Sequence, residues 1–281
     1  LILAIMNMFY PGNRGAMYTA AIVLYALTAG TAGFISAHLY CRFYGADGRW
    51  AMNLVLSATL FPAPMLLMFS FLNTVAIAYN SQAALPFGTI LVIMLIWALV
   101  TIPLNVVGGI IGRNTAKGRP MIMPTRVNKI PREIPPIPWY RQGPCQVFMA
   151  GFLPFSAIYI ELHYIFASVW GHKLYTLYGI LLIAFLMLVI VTSFITVALT
   201  YFQLAIEDHR WWWRSLFSGG STGFFVFAYC FFYYFQRSSM FGFMQTSFFF
   251  GYMLMASYAA FIMLGTVGFV SSLVFVRRIY S

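Results

Sequence analysis

The sequence predicts an all-α fold, a polytopic transmembrane helical bundle with seven complete spans and one partial N-terminal span. Three observations predict it. First, of 281 residues 62% are hydrophobic and 7% charged, with a mean hydropathy of +0.85, whereas a soluble domain carries about 25% charged residues. Second, seven stretches are apolar over the roughly 20 residues a helix needs to cross hydrocarbon, where backbone N–H and C=O groups must be satisfied within the segment. They cover residues 17–40, 52–79, 87–112, 145–170, 176–206, 216–236 and 246–276. Barrel strands would instead alternate over about ten residues.

Third, the basic residues between these stretches are lopsided. With successive connections assigned to alternate sides, Arg42, Arg49, Arg113, Lys117, Arg119, Arg126, Lys129, Arg132, Arg141, Arg210, Arg214, Arg277 and Arg278 share one side. Arg14, Lys173 and Arg237 share the other, a ratio of thirteen to three. Positive charge concentrates in cytoplasmic loops, so residues 113–144 and the C-terminus are expected in the cytosol. The net charge of +11 does not point to nucleic acid, since a basic footprint needs a solvated face. Membrane lipids are the expected partners.

The elements follow in order. Leu1 opens an apolar run to Tyr10 with no basic start or small-residue cleavage site. That predicts the end of a truncated span, not a signal peptide. In the first full span Ala29, Gly33 and Ala37 recur every four residues on one helix face. The second carries Asn53, Pro62, Pro64 and Asn73, and the third Pro103 and Asn105 followed by Gly108 and Gly112 as a GxxxG. Small residues four apart mark helix-contact faces, serving either the bundle or a foreign transmembrane helix. The asparagines and prolines supply interior polarity and helix breaks of the kind transporters place near the midplane.

The connection 113–144 contains Pro120, Pro124, Pro131, Pro135, Pro136, Pro138 and Pro144 among basic residues. Proline at that density stops both neighbouring helices and favours extended backbone. It serves as a stiff linker near anionic headgroups or as a partner-recognition segment.

The fourth span has Pro154 and then Glu161 and His163. Pro154 removes a backbone donor and is expected to kink the helix. Glu161 lies roughly 24 Å along from Cys145 at 1.5 Å per residue, past the middle of the bilayer. An ionised carboxylate there costs on the order of 2.5–3.5 kcal/mol, so it must face the bundle, a water cavity or a cation, or be protonated. His163 stands about 200° around the helix and does not pair with it on one face.

In the fifth span Thr192, Thr196, Thr200, Gln203 and Glu207 fall on one face, as a packed polar stripe or as the lining of a solvated crevice. Arg210, Trp211, Trp212, Trp213 and Arg214 follow. Indole rings flanked by arginines suit a membrane-interface anchor. Gly219 and Gly223 form a second GxxxG in the sixth span, and Arg277 and Arg278 close the seventh. Cys41, Cys145 and Cys230 show no CxxC spacing, and neither a metal site nor a cofactor motif is predicted. No nucleophile elbow, zinc-protease helix, phosphate loop or dinucleotide fingerprint occurs in the sequence, so no enzyme is predicted.

Taken together, several strings resemble the transmembrane-9 superfamily, the nonaspanins. They are Asn13-Arg14-Gly15, Leu85-Pro86-Phe87-Gly88-Thr89, Ile102-Pro103-Leu104, and Arg126-Val127-Asn128-Lys129-Ile130-Pro131-Arg132-Glu133-Ile134-Pro135. Further on come Leu153-Pro154-Phe155, Ile160-Glu161-Leu162, Tyr201-Phe202-Gln203-Leu204, Glu207-Asp208, Trp211-Trp212-Trp213-Arg214-Ser215 and Phe275-Val276-Arg277-Arg278-Ile279-Tyr280-Ser281. The resemblance implies that residues 1–281 are a nonaspanin-type transmembrane domain, from a nine-span protein of Golgi and endosomal membranes with a large lumenal N-terminal domain. It implies work in sorting and surface delivery of other membrane proteins, adhesion and phagocytosis. The lumenal domain and the K-x-D/E retrieval signal of the family lie outside this sequence.

The expectation that follows is a non-enzymatic sorting protein whose bundle recognises the transmembrane helices of cargo, with oligomeric state, homo- or hetero-, left open. The alternative is an ion- or proton-coupled transporter or channel using Glu161 and the Thr192/Thr196/Thr200/Gln203 stripe.

Overall fold

The computed structural model describes residues 14–45, 48–82, 84–118, 121, 133–134, 136, 138–170, 177–237 and 242–280. The partial span expected before Tyr10 and most of the 113–144 connection lie outside them. The described residues form helices and turns, with no strand among them. Seven helical segments are long and apolar enough to cross a membrane: Thr19–Tyr44, Trp50–Ala78, Phe87–Ala116, Gly143–Ala167, Leu181–Leu204, Trp211–Gln236 and Phe243–Ile279. The protein is a membrane-spanning helical bundle.

The chain divides into two compact units, Ile2–Ile122 and Met123–Ser281. In the first, α1 (Arg14–Tyr44) precedes a span broken into α2 (Trp50–Thr59) and α3 (Pro62–Ala78). The next span is α4 (Phe87–Ile96), a π-helical turn (Trp97–Thr101) and α5 (Ile102–Ala116). Both interruptions sit beside prolines that cannot donate a backbone hydrogen bond. Pro62 leaves the carbonyl of Ala58 without its donor four residues on. The indole Nε1 of Trp97, in the π turn, donates to that carbonyl at 3.4 Å. The π turn widens the next span two residues before Pro103, which then occupies the first turn of α5.

Glycine closes this unit. A Cβ at Gly108 would run into the carbonyl of Gly30, one at Gly112 into the carbonyl of Phe34, and one at Gly33 into Asn105. The order of these pairs shows α1 and α5 running parallel. Asn53 on α2 donates through Nδ2 to Ser36 Oγ on α1 at 2.7 Å, and Asn105 Nδ2 to Ser57 Oγ at 3.3 Å.

The second unit holds α6 (Gly143–Trp170), α7 (Leu177–Leu204), α8 (Trp211–Arg237) and α9 (Phe243–Ile279). A 3₁₀ turn, Trp139–Arg141, leads into it. Contacts pair Gly151 with Ser221 and Phe166 with Tyr233, so α6 and α8 are parallel. Thr200 meets Ser272 and Tyr201 meets Phe275, so α7 and α9 are parallel too. Gly219 against Leu264 and Gly223 against Ser257 make α8 and α9 antiparallel. Such alternation is what a chain passing back and forth through a bilayer produces. Pro154 lies inside α6, almost fully buried.

Several ends differ from expectation. Helix α8 begins at Trp211, not Leu216, so the tryptophans form its first turn. Helix α7 stops at Leu204, and Glu207, expected on its stripe, adopts φ 65°. The N–H of Asp208 donates to Gln203 O at 3.3 Å and that of Glu207 to Leu204 O at 2.9 Å. This is the Schellman ending, with glutamate at the left-handed position that glycine ordinarily fills.

Candidate functional site

The second unit is polar in one half and aromatic in the other. The aromatic half clusters Leu162, Phe166, Tyr229, Cys230, Tyr233 and Phe249. The polar half begins at the α7–α8 connection and runs inward along α7. Thr192, Thr196, Thr200 and Gln203 are 1%, 1%, 3% and 2% exposed, so this part of the predicted stripe is interior, with Thr196 and Thr200 against α9. Thr196 Oγ1 donates to Thr192 O at 2.8 Å. Thr200 Oγ1 bonds to Thr196 O at 2.8 Å and across to Ser272 Oγ of α9 at 2.9 Å. The other buried hydroxyls of this half were not legible as part of the site. Ser215, Ser218 and Thr222 of α8 and Ser272 of α9 are all buried, and their spacing at three and four residues was the available signal.

Asp208 caps this seam and is the strongest electrostatic feature of the site. Its carboxylate accepts from Gln203 Nε2 at 3.1 Å, from the backbone N–H of Arg210 at 3.1 Å and from Arg210 Nε at 3.4 Å. Arg214 approaches Oδ2, the oxygen that Gln203 bonds, at 3.9 Å. Burial pushes the carboxyl pKa up, but the Arg210 and Gln203 hydrogen bonds and the Arg210 charge outweigh burial and hold it below its ordinary value. Asp208 has no assigned role in the sequence pattern. Its distance of five residues from Gln203, across a helix end, placed it under the stripe.

The tryptophans separate. Trp211 is buried and stacks on Phe269 at 5.8 Å and 19°, while Trp212 and Trp213 are 42% and 64% exposed. Side chains 100° apart on one helical turn cannot share a face. Arg210 stays largely exposed and Arg214 mostly covered.

Glu161 and His163 do not join this seam. His163 Nδ1 and the Tyr229 hydroxyl are hydrogen-bonded at 3.1 Å. Glu161 is half-buried and, among the described residues, makes no hydrogen bond or ion pair. The small-residue faces are spent on internal packing: Gly33, Gly108 and Gly112 between α1 and α5, Gly219 and Gly223 between α8 and α9. Ala29 and Ala37 are buried in the first unit.

The chain matches the Endomembrane protein 70 family over residues 1–243. It is 63% identical over 279 residues to transmembrane 9 superfamily member 4 of Arabidopsis thaliana, covering 99% of this chain and 46% of that protein. It is 50% identical over 280 residues to transmembrane 9 superfamily member 1 of Mus musculus, covering 100% and 46%. A Dictyostelium discoideum protein named "Putative phagocytic receptor 1b" is 55% identical over 280 residues, at 100% and 47%. The chain thus spans about half the length of the curated relatives it matches. No solved structure matches it significantly. By the family match and these identities, the chain belongs to the Endomembrane protein 70, or transmembrane 9, family of integral membrane proteins.

Proposed function

We propose that this chain is the membrane-embedded part of a non-enzymatic sorting protein of Golgi and endosomal membranes, which holds other transmembrane proteins by their helices. In this reading residues 113–144 and the C-terminus face the cytosol. The family description and the Dictyostelium relative's name as a receptor are in keeping with it. The observation that carries it is a contrast of surfaces. Each GxxxG face is filled from within, whereas none of the ten residues of α4 is buried, with Phe87, Leu91 and Leu95 at 78%, 44% and 46% exposure. A cargo helix would therefore bind by van der Waals packing against outward apolar surface of the α4 kind, since lipid offers no hydrophobic drive between helices.

Photocrosslinkers placed at Leu91 and Leu95 of the full-length protein test this in cells. Adducts with other membrane proteins are expected there and not at residues beside Gly219 and Gly223. Adducts only with the protein's own remaining spans would return α4 to the bundle and overturn the reading. Sidedness is checked separately with an impermeant amine reagent, which should reach Lys117 and Lys173 from opposite compartments.

One observation favours the transport alternative: Glu161 is half-buried and has no hydrogen-bond or ion-pair partner among the described residues. In reconstituted vesicles that reading requires an ion flux that Glu161→Gln reduces.

A further inference from the structure

We infer that the polar half of the second unit is a hydrated seam, which binds a short file of water molecules between α7 and α8 and opens on the Asp208 side only. The seam needs an occupant because three of its hydroxyls have none. Thr192 Oγ1, Ser218 Oγ and Thr222 Oγ1 are buried without a hydrogen-bond partner among the described residues, on side chains 1%, 2% and 0% exposed. Each has a local remedy that it does not use. Thr196 and Thr200 turn back onto the carbonyl four residues earlier, and Ser221 takes the carbonyl of Ser218 at 2.8 Å. The three orphans are turned away from such carbonyls.

Their positions converge. The Cβ site of Gly268 on α9 is met by Thr196 Cγ2 and Ser215 O, both at 2.9 Å, so these residues of three helices share one level. From that level Thr192 lies one turn further in on α7, about 6 Å at 1.5 Å per residue. Ser218 and Thr222 lie about 4.5 and 10.5 Å further in on α8, bracketing it. Ser215, Ser218 and Thr222 fall within about 60° of one another around α8. Partnerless, uncharged hydroxyls on two helices at similar depth suit water. Buried water usually makes about three hydrogen bonds to groups that would otherwise go unsatisfied. The outer end is polar as well, through Thr200, Ser272, Gln203 and Asp208. The inner end stops at Tyr229, Cys230 and Phe249, which are packed and dry. Water therefore enters from one side and does not pass.

Substituted cysteines test this in the full chain, in sealed vesicles, after Cys41, Cys145 and Cys230 are replaced. Thr192→Cys, Ser218→Cys and Thr222→Cys are each treated with a small methanethiosulfonate from either face, with Phe249→Cys as a dry control and Phe194→Cys as a lipid-facing one. Thiols react as hydrated thiolates, so the three seam positions should react about tenfold or more faster than both controls. They should do so only from the face bearing Asp208. Rates equal to the Phe249→Cys control, or equal from both faces, would overturn the inference. Should the cysteine variants fail to insert, the melting temperatures of Thr192→Val, Ser218→Ala and Thr222→Val decide it. Loss of water-bridged hydroxyls lowers the melting temperature, whereas removal of dry unsatisfied ones leaves it unchanged or raises it.

Discussion

The two units solve the same problem, holding helices together where lipid gives no hydrophobic drive, with one shared device and a different weight of polar contacts. The first brings backbone onto backbone: Gly108 and Gly112 of α5 lie on the carbonyls of Gly30 and Phe34 of α1. The second also uses glycine between α8 and α9, but adds a layer of buried hydroxyls and one buried carboxylate. The difference teaches where each tolerates change. A glycine on a carbonyl leaves no room for any side chain, while a hydroxyl against a hydroxyl gives way by one weak bond.

The largest effect should therefore fall in the first unit. Gly108→Ala places a methyl group into a fixed carbonyl, and relief would have to part α1 from α5. A loss of about 3 kcal/mol or more is expected, at the upper end of overpacking penalties. Gly265→Ala in α9, whose Cβ would meet Leu216 O at 3.0 Å, should cost about 1 kcal/mol. Unfolding titrations in mixed micelles measure both. Equal losses would erase the contrast between backbone-on-backbone packing and its looser counterpart.

Next comes Asp208→Asn. The side chain is 4% exposed and the neutral amide would leave Arg214 and Gln203 facing a weaker acceptor, for a loss of about 1–3 kcal/mol at pH 7. Its pH dependence follows from the depressed carboxyl pKa. The contribution is complete above the unfolded value of about 3.9 and disappears as pH falls through the lower folded value. The melting-temperature gap between wild type and Asp208→Asn should thus be constant from neutrality to about pH 5 and close on further acidification. A gap independent of pH would mean that the carboxylate's charge does not stabilise the α7–α8 connection.

The spans were legible because burial in hydrocarbon is a property of composition, and so were the faces carrying Gly33, Gly108, Gly112, Gly219 and Gly223, because close approach needs small residues at fixed spacing. What those faces touch was not legible, since a GxxxG serves a foreign helix and a neighbouring one alike. Pro62 and Pro103 announced breaks, but the repair of the Ala58 carbonyl by Trp97 joins residues 39 apart in sequence, and nothing local signals it. Glu207 was expected on the stripe and does not lie there. Extending the helical period one turn too far put Glu207 on the stripe, where the chain in fact reverses at φ 65° and brings Asp208 beneath Gln203. The Trp97 bond is itself testable: Trp97→Phe keeps the ring but orphans a buried carbonyl, and should cost about 1 kcal/mol. It should cost less in a Pro62→Ala background, where the backbone donor returns.

The smallest effect is expected in the seam itself. Thr200 Oγ1 and Ser272 Oγ, 2.9 Å apart and both buried, form a side-chain hydrogen bond between α7 and α9. Interhelical hydrogen bonds in membranes average about 0.6 kcal/mol, because the separated helices find other partners. Thr200 has such a partner built in, the carbonyl of Thr196 at 2.8 Å. Thr200→Val should therefore lose about 0.6 kcal/mol, and a double-mutant cycle with Ser272→Ala should return a coupling of the same size. A coupling above about 1.7 kcal/mol would exceed the range for such bonds and make the hydroxyl layer as rigid a joint as the glycine contact of α1 and α5. A coupling of zero would leave the α7–α9 pairing to shape alone, with Gly268 receiving the Thr196 methyl as its principal determinant.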